Sequence, residues 1–500
     1  MLFSLLFACI NEFSNDTQSS QTNTTSDFVE SPDTDSTGSQ EVDSEDNMTT
    51  ESLNPFDVKT RDAHGLTNTS SILEEVLEFG SLTEACSLYE QYPDDVDLKV
   101  RCGKAMFFYE GYDGIGIPQP LFDFVNTKFT DILGESFSTY GMIPDPYSDK
   151  HRPIGYGDGA KIGGVDTLAY SCASCHFGQL PDGRYSVGMP NTQYETGKHF
   201  LSLMLLPQSV MPGFNDEEHN EDALEVIQPL REKLWGNPLL MAQMGWDLLP
   251  LLFNSEMSPD AITPEIEAAY ASWKSGTMDV FIAPLPIDDG VHVVTKIPSL
   301  WSIPTEAEIS EFDMDSAMLS WNGGSPSLQH FLKGYISLSG TTEWTTEELE
   351  PLIAYLETLE APDTLEVLDT DAVERGELVF QNHCTGCHQG YQGSGVEPFS
   401  FEEIGTDDQL RYLLDADADG IVDYDIDAVA MPTVKSQRLT GVWAKERLLH
   451  NGSVETLESL FCLESPRDDD RPIFGNVGHN FGCELTERDR IDLIEFLRSI

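Results

Sequence analysis

The chain has 500 residues and a formal net charge of −60, with 27 Lys and Arg residues against 87 Asp and Glu residues. Such an excess of negative charge argues against binding to nucleic acid or to an anionic membrane surface, and it favours encounters with a basic partner. No stretch after the N-terminus approaches the roughly 18 consecutive apolar residues of a membrane span. The length exceeds one typical domain, so two or more hydrophobic cores are expected.

The N-terminus predicts export. Residues 1–8 are apolar (MLFSLLFA), and the segment that ends in Ala8-Cys9 resembles a bacterial lipobox in which Cys9 is lipidated. The basic residues of a secretory signal are missing, so an uncleaved apolar tip with an incidental Cys remains the alternative. We therefore expect a periplasmic or cell-surface protein, an outer-membrane lipoprotein held to the membrane only by its lipid and not a cytoplasmic one.

Residues 9–62 follow as a polar segment. Ser, Thr, Asn, Asp and Glu dominate it, and large apolar side chains are few. Such a segment cannot bury enough surface to offset the entropy of ordering, so we expect a disordered acidic tether.

The pentapeptide Cys-x-x-Cys-His occurs twice, at 172–176 and at 384–388. Two thiols at this spacing bond the vinyl groups of one haem, and the adjacent imidazole then ligates the iron. Random placement of the chain's Cys and His residues would give only about 0.004 copies of this pattern. A zinc site is the alternative, but its pairs would lie about 200 residues apart, and zinc does not require His after the second Cys. The pattern predicts two covalent haem c groups on Cys172, Cys175, Cys384 and Cys387, with His176 and His388 as iron ligands.

Four further cysteines form two local pairs once the haem and lipid residues are set aside. In an oxidising compartment the simplest assignment is one disulfide between Cys86 and Cys102 and another between Cys462 and Cys483. Free buried thiols are the alternative.

An internal repeat organises the rest of the chain. After each haem motif come a Leu/Trp segment, an Asn-Gly turn and a helix that opens on a Thr N-cap candidate, Thr345 or Thr486. Pro362 ends the last helix of the first half. We expect a mainly α-helical fold of two tandem cytochrome c-like modules with long loops, an elaborated haem 1 module at 63–362 and a haem 2 domain at 363–500.

The aligned repeats place His450 of the second half opposite Trp321 of the first. A His can complete the sixth position of an iron, whereas an indole cannot bond iron. Haem 2 would then be closed, and haem 1 on His176, with Trp321 nearby, would be open. Met431 competes with His450 as the sixth ligand, and a structural role at the turn is the alternative for His450.

These residues resemble a known family. Segments at 171–180, 319–328, 383–390, 441–457 and 478–497 resemble the di-haem cytochrome c peroxidase superfamily, and they are most similar to its rubber-oxygenase-like branch. The resemblance to that branch implies that His450 ligates the second haem and that dioxygen binds to the first. The resemblance to the peroxidases implies Met431 in place of His450.

An Asp-x-Asp-x-Asp-Gly run in the second half has the spacing of a calcium loop. Position 12 is Ile426 where a bidentate Glu is usual, and an accidental match in so acidic a chain is the alternative. Peroxidases of the superfamily bind calcium between their haem domains. The predicted Ca²⁺ ligands are Asp415, Asp417, Asp419 and Asp423.

Together these features predict an oxidoreductase in which haem 2 transfers electrons and haem 1 activates dioxygen or peroxide. Two other classes of function stay open. One is an electron carrier with both irons six-coordinate, and the other is a haem-based gas sensor.

Overall fold

The computed structural model describes residues 65–66 and 82–500, apart from 149, 212, 250–262, 280–292, 312–318, 320, 322, 326, 340–343, 396, 413–432, 465 and 472–473. The signal segment with Cys9, the tether at 9–62, Met431 and the calcium loop lie outside the described residues. Residues 53–500 form one compact unit. Among the described residues, no helix is both long enough and apolar enough to span a bilayer.

Helices make up most of the regular structure. The α-helices are α1 Leu82–Gln91, α2 Val96–Tyr109, α3 Gln119–Lys128, α4 Thr130–Leu133, α5 Ala173–His176, α6 Thr196–Ser209, α7 Glu221–Trp235, α8 Pro238–Asp247, α9 Pro264–Ser272, α10 Glu306–Glu311, α11 Leu328–Ser339, α12 Thr346–Leu356, α13 Thr370–His383, α14 Phe401–Ile404, α15 Leu457–Leu460 and α16 Glu487–Arg498. The predicted caps of α12 and α16 are confirmed, because the Thr345 side chain accepts from the Glu348 N–H and that of Thr486 from the Asp489 N–H.

Short strands form four small sheets in the described part of the chain. The strands are β1 Gly65–Leu66, β2 Glu110–Ile115, β3 Ile117–Pro118, β4 Tyr156–Ala160, β5 Thr167–Tyr170, β6 Phe177–Gln179, β7 Tyr185–Val187, β8 Thr277–Asp279, β9 Val294–Lys296, β10 Pro398–Ser400 and β11 Thr433–Lys435. The sheet orders are β2-β4-β5-β3, β1-β7-β6, β8-β9 and β10-β11.

The fold is therefore mixed α/β. The expectation of a mainly α-helical chain is only partly confirmed, because helices make up most of the regular structure but small sheets are also present. Two of the four sheets lie directly beside the first motif in the sequence. Strand β4 pairs with β5 just before the motif, and β6 pairs antiparallel with β7 directly after it. These pairings enclose the first motif in a β-rich region.

Three hydrophobic cores are present among the described residues. The first is built from residues of the first half around α3, α6, α7 and α9, with Phe474 packed against it. The second joins α2, α11 and α12 to the buried Trp301. The third is drawn entirely from residues 373–500. The C-terminal residues thus have a core of their own.

Two helix pairs cross at a glycine, one pair in each half. A Cβ at Gly103 of α2 would lie 1.9 Å from the Pro351 carbonyl oxygen on α12 and 2.8 Å from the Cβ of Tyr355. A Cβ at Gly376 of α13 would lie 1.9 Å from the Asp492 carbonyl oxygen on α16 and 2.8 Å from the Cβ of Phe496. Only a residue without a side chain permits such an approach of two backbones.

Replacement of Gly376 by Ala should destabilise the protein. The added methyl group meets backbone atoms that cannot rotate away, so we expect the free energy of unfolding to fall by about 3 kcal/mol. Denaturant unfolding followed by circular dichroism would measure the change. Gly334→Ala in α11 is the matched control, because nothing lies within 4 Å of its added Cβ. That variant should be neutral or stabilised by up to about 1 kcal/mol, and equal losses in the two variants would contradict the crossing.

Candidate haem sites

Both Cys-x-x-Cys-His motifs fold into the same tight turn. In the first, the His176 N–H donates to the Cys172 carbonyl at 3.0 Å, and in the second the His388 N–H donates to the Cys384 carbonyl at 3.0 Å. The four thiols of the motifs, which include Cys175 and Cys387, are free. The turn therefore keeps both thiols and the imidazole of each motif together without a disulfide.

The other four described cysteines are paired. Cys86 and Cys102 form one disulfide with an S–S distance of 2.00 Å, and Cys462 and Cys483 form the other at 2.11 Å. This is the pairing predicted from the sequence. The motif thiols are thus chemically distinct from the structural cysteines.

The two motif histidines share one arrangement. His176 Nδ1 lies 3.0 Å from the Pro298 carbonyl oxygen, and His388 Nδ1 lies 2.6 Å from the Gly393 carbonyl oxygen. Burial lowers the pKa of His176 to about 4 and also lowers that of His388. Each imidazole is therefore neutral and donates from Nδ1, which leaves the Nε2 lone pair for a metal.

A cavity of about 340 Å³ opens onto the second motif. Cys384, Cys387 and His388 line it together with His450 and His479. Residues of the first half, which include Lys296, Pro298 and Trp321, complete its wall. Volumes of about 300–1,000 Å³ are typical of cofactor sites, so the cavity suits a buried prosthetic group.

The wall of this cavity is cationic. None of its described lining residues is Asp or Glu, although the chain has 87 acidic residues. Burial lowers the pKa of Lys296 to about 8, and burial together with the nearby Arg438 lowers that of Lys435 to about 7. These charges suit a ligand that carries carboxylates, because buried cations require a counter-charge. The Lys and Arg residues of the wall are Lys296, Lys435, Arg438, Lys445 and Arg447.

His450 lines this cavity, and both of its ring nitrogens have hydrogen-bond partners. Its Nε2 lies 3.2 Å from Asp407 Oδ1 and 3.1 Å from Asp407 Oδ2, while Nδ1 lies 3.5 Å from the Thr406 hydroxyl. The side chain is 5% exposed. Ligation of iron by His450 Nε2 would require its hydrogen bond to Asp407 to break.

No sequence pattern predicted a role for His479, yet its ring lies close to that of His388. The ring centroids of His388 and His479 are 6.3 Å apart, with 75° between the ring planes. Burial, followed by the charges of His388 and Arg467, lowers the pKa of His479 to about 4. Two imidazoles on opposite sides of one metal ion, each bonded at about 2 Å, have centroids separated by about 6 Å. The separation of the two rings would therefore allow His388 and His479 to hold one metal ion together.

The sequence did contain one signal for His479. The residue stands between Gly478 and Gly482, both at a φ of 94°, and has a φ of 47° itself. The positive φ values at Gly478 and His479 place the ring by backbone geometry and not by helical periodicity. A histidine held between two glycine turns was thus visible, but its closeness to His388 was not.

A buried guanidinium holds the segment that carries His479. Arg467 Nη1 donates to the carbonyls of Asn476 at 3.1 Å and Gly478 at 2.7 Å. Its Nη2 donates to the His479 carbonyl at 2.9 Å and to Asn480 Oδ1 at 3.0 Å. Arg467 is 8% exposed, so this one side chain fixes four acceptors around the ring.

Replacement of Arg467 by Met should loosen the segment. Four acceptors would lose a charged donor, and we expect the free energy of unfolding to fall by about 3 kcal/mol. Denaturant titration would measure the loss. The control is Arg471→Met, whose side chain is 73% exposed and pairs with its near neighbour Asp469. This control should unfold like the unchanged protein, and an Arg467 variant of undiminished stability would contradict the anchoring role.

The two Asn-Gly segments of the repeat are each flanked by an isolated β-bridge. An isolated antiparallel bridge joins Leu319 to Ser325 in the first half, and another joins Leu448 to Val454 in the second. Trp321 and His450 each stand two residues after the start of their bridge. Trp321 lies on the cavity of the second motif, with Lys296 Nζ 5.4 Å from its ring centroid. The structure thus gives the two residues equivalent turn positions on one cavity.

The first motif lies among aromatic and sulfur-containing side chains. The Tyr112 hydroxyl is 3.6 Å from Cys172 Sγ, and Cys175 Sγ is 4.0 Å from Met278 Sδ. Burial raises the pKa of both thiols to about 11. Among the described residues, no group of three or more His, Cys, Asp or Glu side chains converges as an ordinary metal-ion site would.

Comparison with known proteins returned no relative. No model of a known protein family matches the chain, and no curated protein matches it significantly. The motif turns, their buried histidines and the cationic cavity are therefore the basis on which a function can be assigned.

Proposed function

We propose that the protein is an exported di-haem c-type oxidoreductase. The observation that carries the proposal is the double occurrence of one arrangement: a Cys-x-x-Cys-His turn with free thiols and a buried neutral histidine whose Nδ1 bonds a backbone carbonyl. Haem c attachment requires the two free thiols and the adjacent His, and the hydrogen bond from Nδ1 orients the imidazole and keeps Nε2 available for iron. A bound haem supplies an iron that passes electrons when six-coordinate or reacts with dioxygen or peroxide at an open position.

Residues of both halves would hold the second haem. Cys384 and Cys387 supply the thiols for the covalent links, and His388 supplies the proximal nitrogen. The cationic wall, with Lys435 and Arg438, faces the cavity where the two propionate carboxylates of a haem need partners. The cavity thus matches both the apolar body and the charged edge of the group.

We assign the sixth position of the second iron to His479. Its ring separation from His388 supports this assignment, as does its neutral state. His450, expected from the repeat and the family resemblance, is the second candidate, and its hydrogen bond to Asp407 favours a supporting role instead. Met431, the third candidate, lies outside the described residues.

The first haem site is proposed as the reactive one. Thiols Cys172 and Cys175 would hold that haem with His176 as proximal ligand, and the open face would take dioxygen or peroxide. The second haem would exchange electrons with a redox partner, for which the acidic chain favours a basic protein.

An electron carrier with two closed haems and a gas sensor are the competing functions. Mixed high-spin and low-spin resonance signals from the purified protein would support the enzyme, and two low-spin signals the carrier.

Two haems should be attached independently. After co-expression with a cytochrome c maturation system, we expect the intact mass to exceed that of the polypeptide by two haems. The double substitution Cys384→Ala and Cys387→Ala should remove one haem, and Cys172→Ala with Cys175→Ala should remove the other. Haem-stained gels and mass spectrometry would count them, and a haem-free chain would refute the proposal.

Replacement of His479 by Ala should convert the low-spin second haem to high-spin, because its iron loses a nitrogen ligand. Paramagnetic resonance and the visible spectrum would report the change. His450→Ala should leave the low-spin signal in place. His383→Ala serves as a control at the exposed rim of the same cavity. Should the effects of the His479 and His450 substitutions be exchanged, His450 is the ligand.

A further inference from the structure

A chain of buried hydroxyl and imidazole groups lies behind the first haem motif. The hydroxyls of Tyr170 and Tyr194 are 2.5 Å apart, and the Tyr194 hydroxyl is 2.8 Å from His199 Nδ1. Tyr194 and His199 are 0% exposed. The ring of His199 packs against Phe137 with a centroid distance of 4.4 Å. No role in the proposed haem attachment accounts for this hydrogen-bonded series.

Backbone hydrogen bonds join the segment of Tyr194 to the second cysteine of the first motif. The Asn191 N–H donates to the Cys175 carbonyl at 2.8 Å, and the Tyr194 N–H donates to the Asn191 carbonyl at 3.2 Å. Tyr170 belongs to β5, two residues before Cys172. The Cys175 thiol also raises the pKa of both phenols. The phenols therefore lie close to the first motif.

The direction of the hydrogen bond between Tyr194 and His199 follows from acidity. A phenol is a far stronger acid than a neutral imidazole, and an unprotonated imidazole nitrogen accepts far better than a phenol oxygen. Tyr194 therefore donates to His199 Nδ1, and the buried His199 Nε2 carries the remaining proton. Because the Tyr194 proton is used in this bond, Tyr170 is the donor in the bond between the two hydroxyls. His199 Nδ1 is then a base that receives the Tyr194 proton.

Burial sets the protonation of the pair at rest. It raises the pKa of Tyr194 well above its usual value and lowers that of His199 to about 3. The phenol therefore stays protonated and the imidazole stays neutral at physiological pH. Loss of an electron would make the phenol strongly acidic, and the adjacent nitrogen is placed to take the proton at that moment.

We propose that Tyr194 and His199 form a proton-coupled redox pair that exchanges single electrons with the first haem site. In the forward step, Tyr194 would give one electron to a one-electron oxidant, which a haem held by the first motif would supply in the presence of peroxide. Its phenolic proton moves to His199 Nδ1, so that a neutral tyrosyl radical and an imidazolium remain. Return of one electron to Tyr194 and of the proton from His199 restores the pair. The identity of this oxidant depends on the proposed function, whereas the pairing of Tyr194 with His199 does not.

Two oxidants applied to the purified full-length protein test the proposal separately. Hydrogen peroxide followed by freeze-quenching uses the bound haem, while a flash-excited ruthenium polypyridyl complex with a sacrificial acceptor bypasses it. Paramagnetic resonance should detect a tyrosyl radical after both treatments. Tyr194→Phe should abolish the radical, and His199→Asn, which keeps an acceptor but removes the base, should slow its formation after the flash by about a hundredfold.

Tyr140→Phe is the matched control. Tyr140 is also buried, but its hydroxyl lies 2.6 Å from the Ser202 hydroxyl, which is not a base. This variant should retain the radical. Tyr170→Phe should also retain it, with an altered spectrum because the radical oxygen loses a donor. If Tyr194→Phe does not fold, the altered spectrum of the Tyr170→Phe variant still shows whether the radical is on Tyr194.

Other outcomes separate the two proposals. A radical that persists in Tyr194→Phe, or that disappears equally in Tyr140→Phe, overturns the pair. A haem-loaded protein that gives no tyrosyl radical after the flash also overturns it and leaves the di-haem function intact. A haem-free protein that gives the Tyr194 radical after the flash but not with peroxide refutes the di-haem function and retains the pair.

Discussion

The contact between two helix backbones at Gly376 is the constraint on which the surroundings of the second motif depend. Helix α13 ends at His383, directly before Cys384, and the segment of His479 leads into α16. The crossing of α13 with α16 therefore helps to set how far apart His388 and His479 lie. A side chain at the crossing would separate the helices and with them the two imidazoles. Packing in the C-terminal core and the spacing of the two histidines thus depend on the same contact.

The first half contains the same kind of helix crossing at a glycine, but the residues around its motif differ. Gly103 brings α2 against α12, as Gly376 brings α13 against α16. The first motif, however, is enclosed by short strands and aromatic side chains instead of a cationic wall. Two sites built on similar turns therefore differ in charge and polarity around the thiols, and surroundings of this kind tune the reactivity of a haem.

Local patterns in the sequence predicted the features that depend on neighbouring residues. The motif turns, the caps at Thr345 and Thr486 and the disulfides follow from spacing alone, because their partners are close along the chain. Strands β2 to β5 were missed, since their short pairings join segments on both sides of long loops. The roles of His479 and of Lys296 were missed for the same reason. Each depends on a distant segment, and no periodicity records that closeness.

Pro298 has a position that links the two sites directly. Its carbonyl accepts the hydrogen bond of His176, and the same residue lines the cavity of the second motif. The residue that orients the His176 imidazole is therefore also part of the surface that a ligand in the cavity of the second motif would touch.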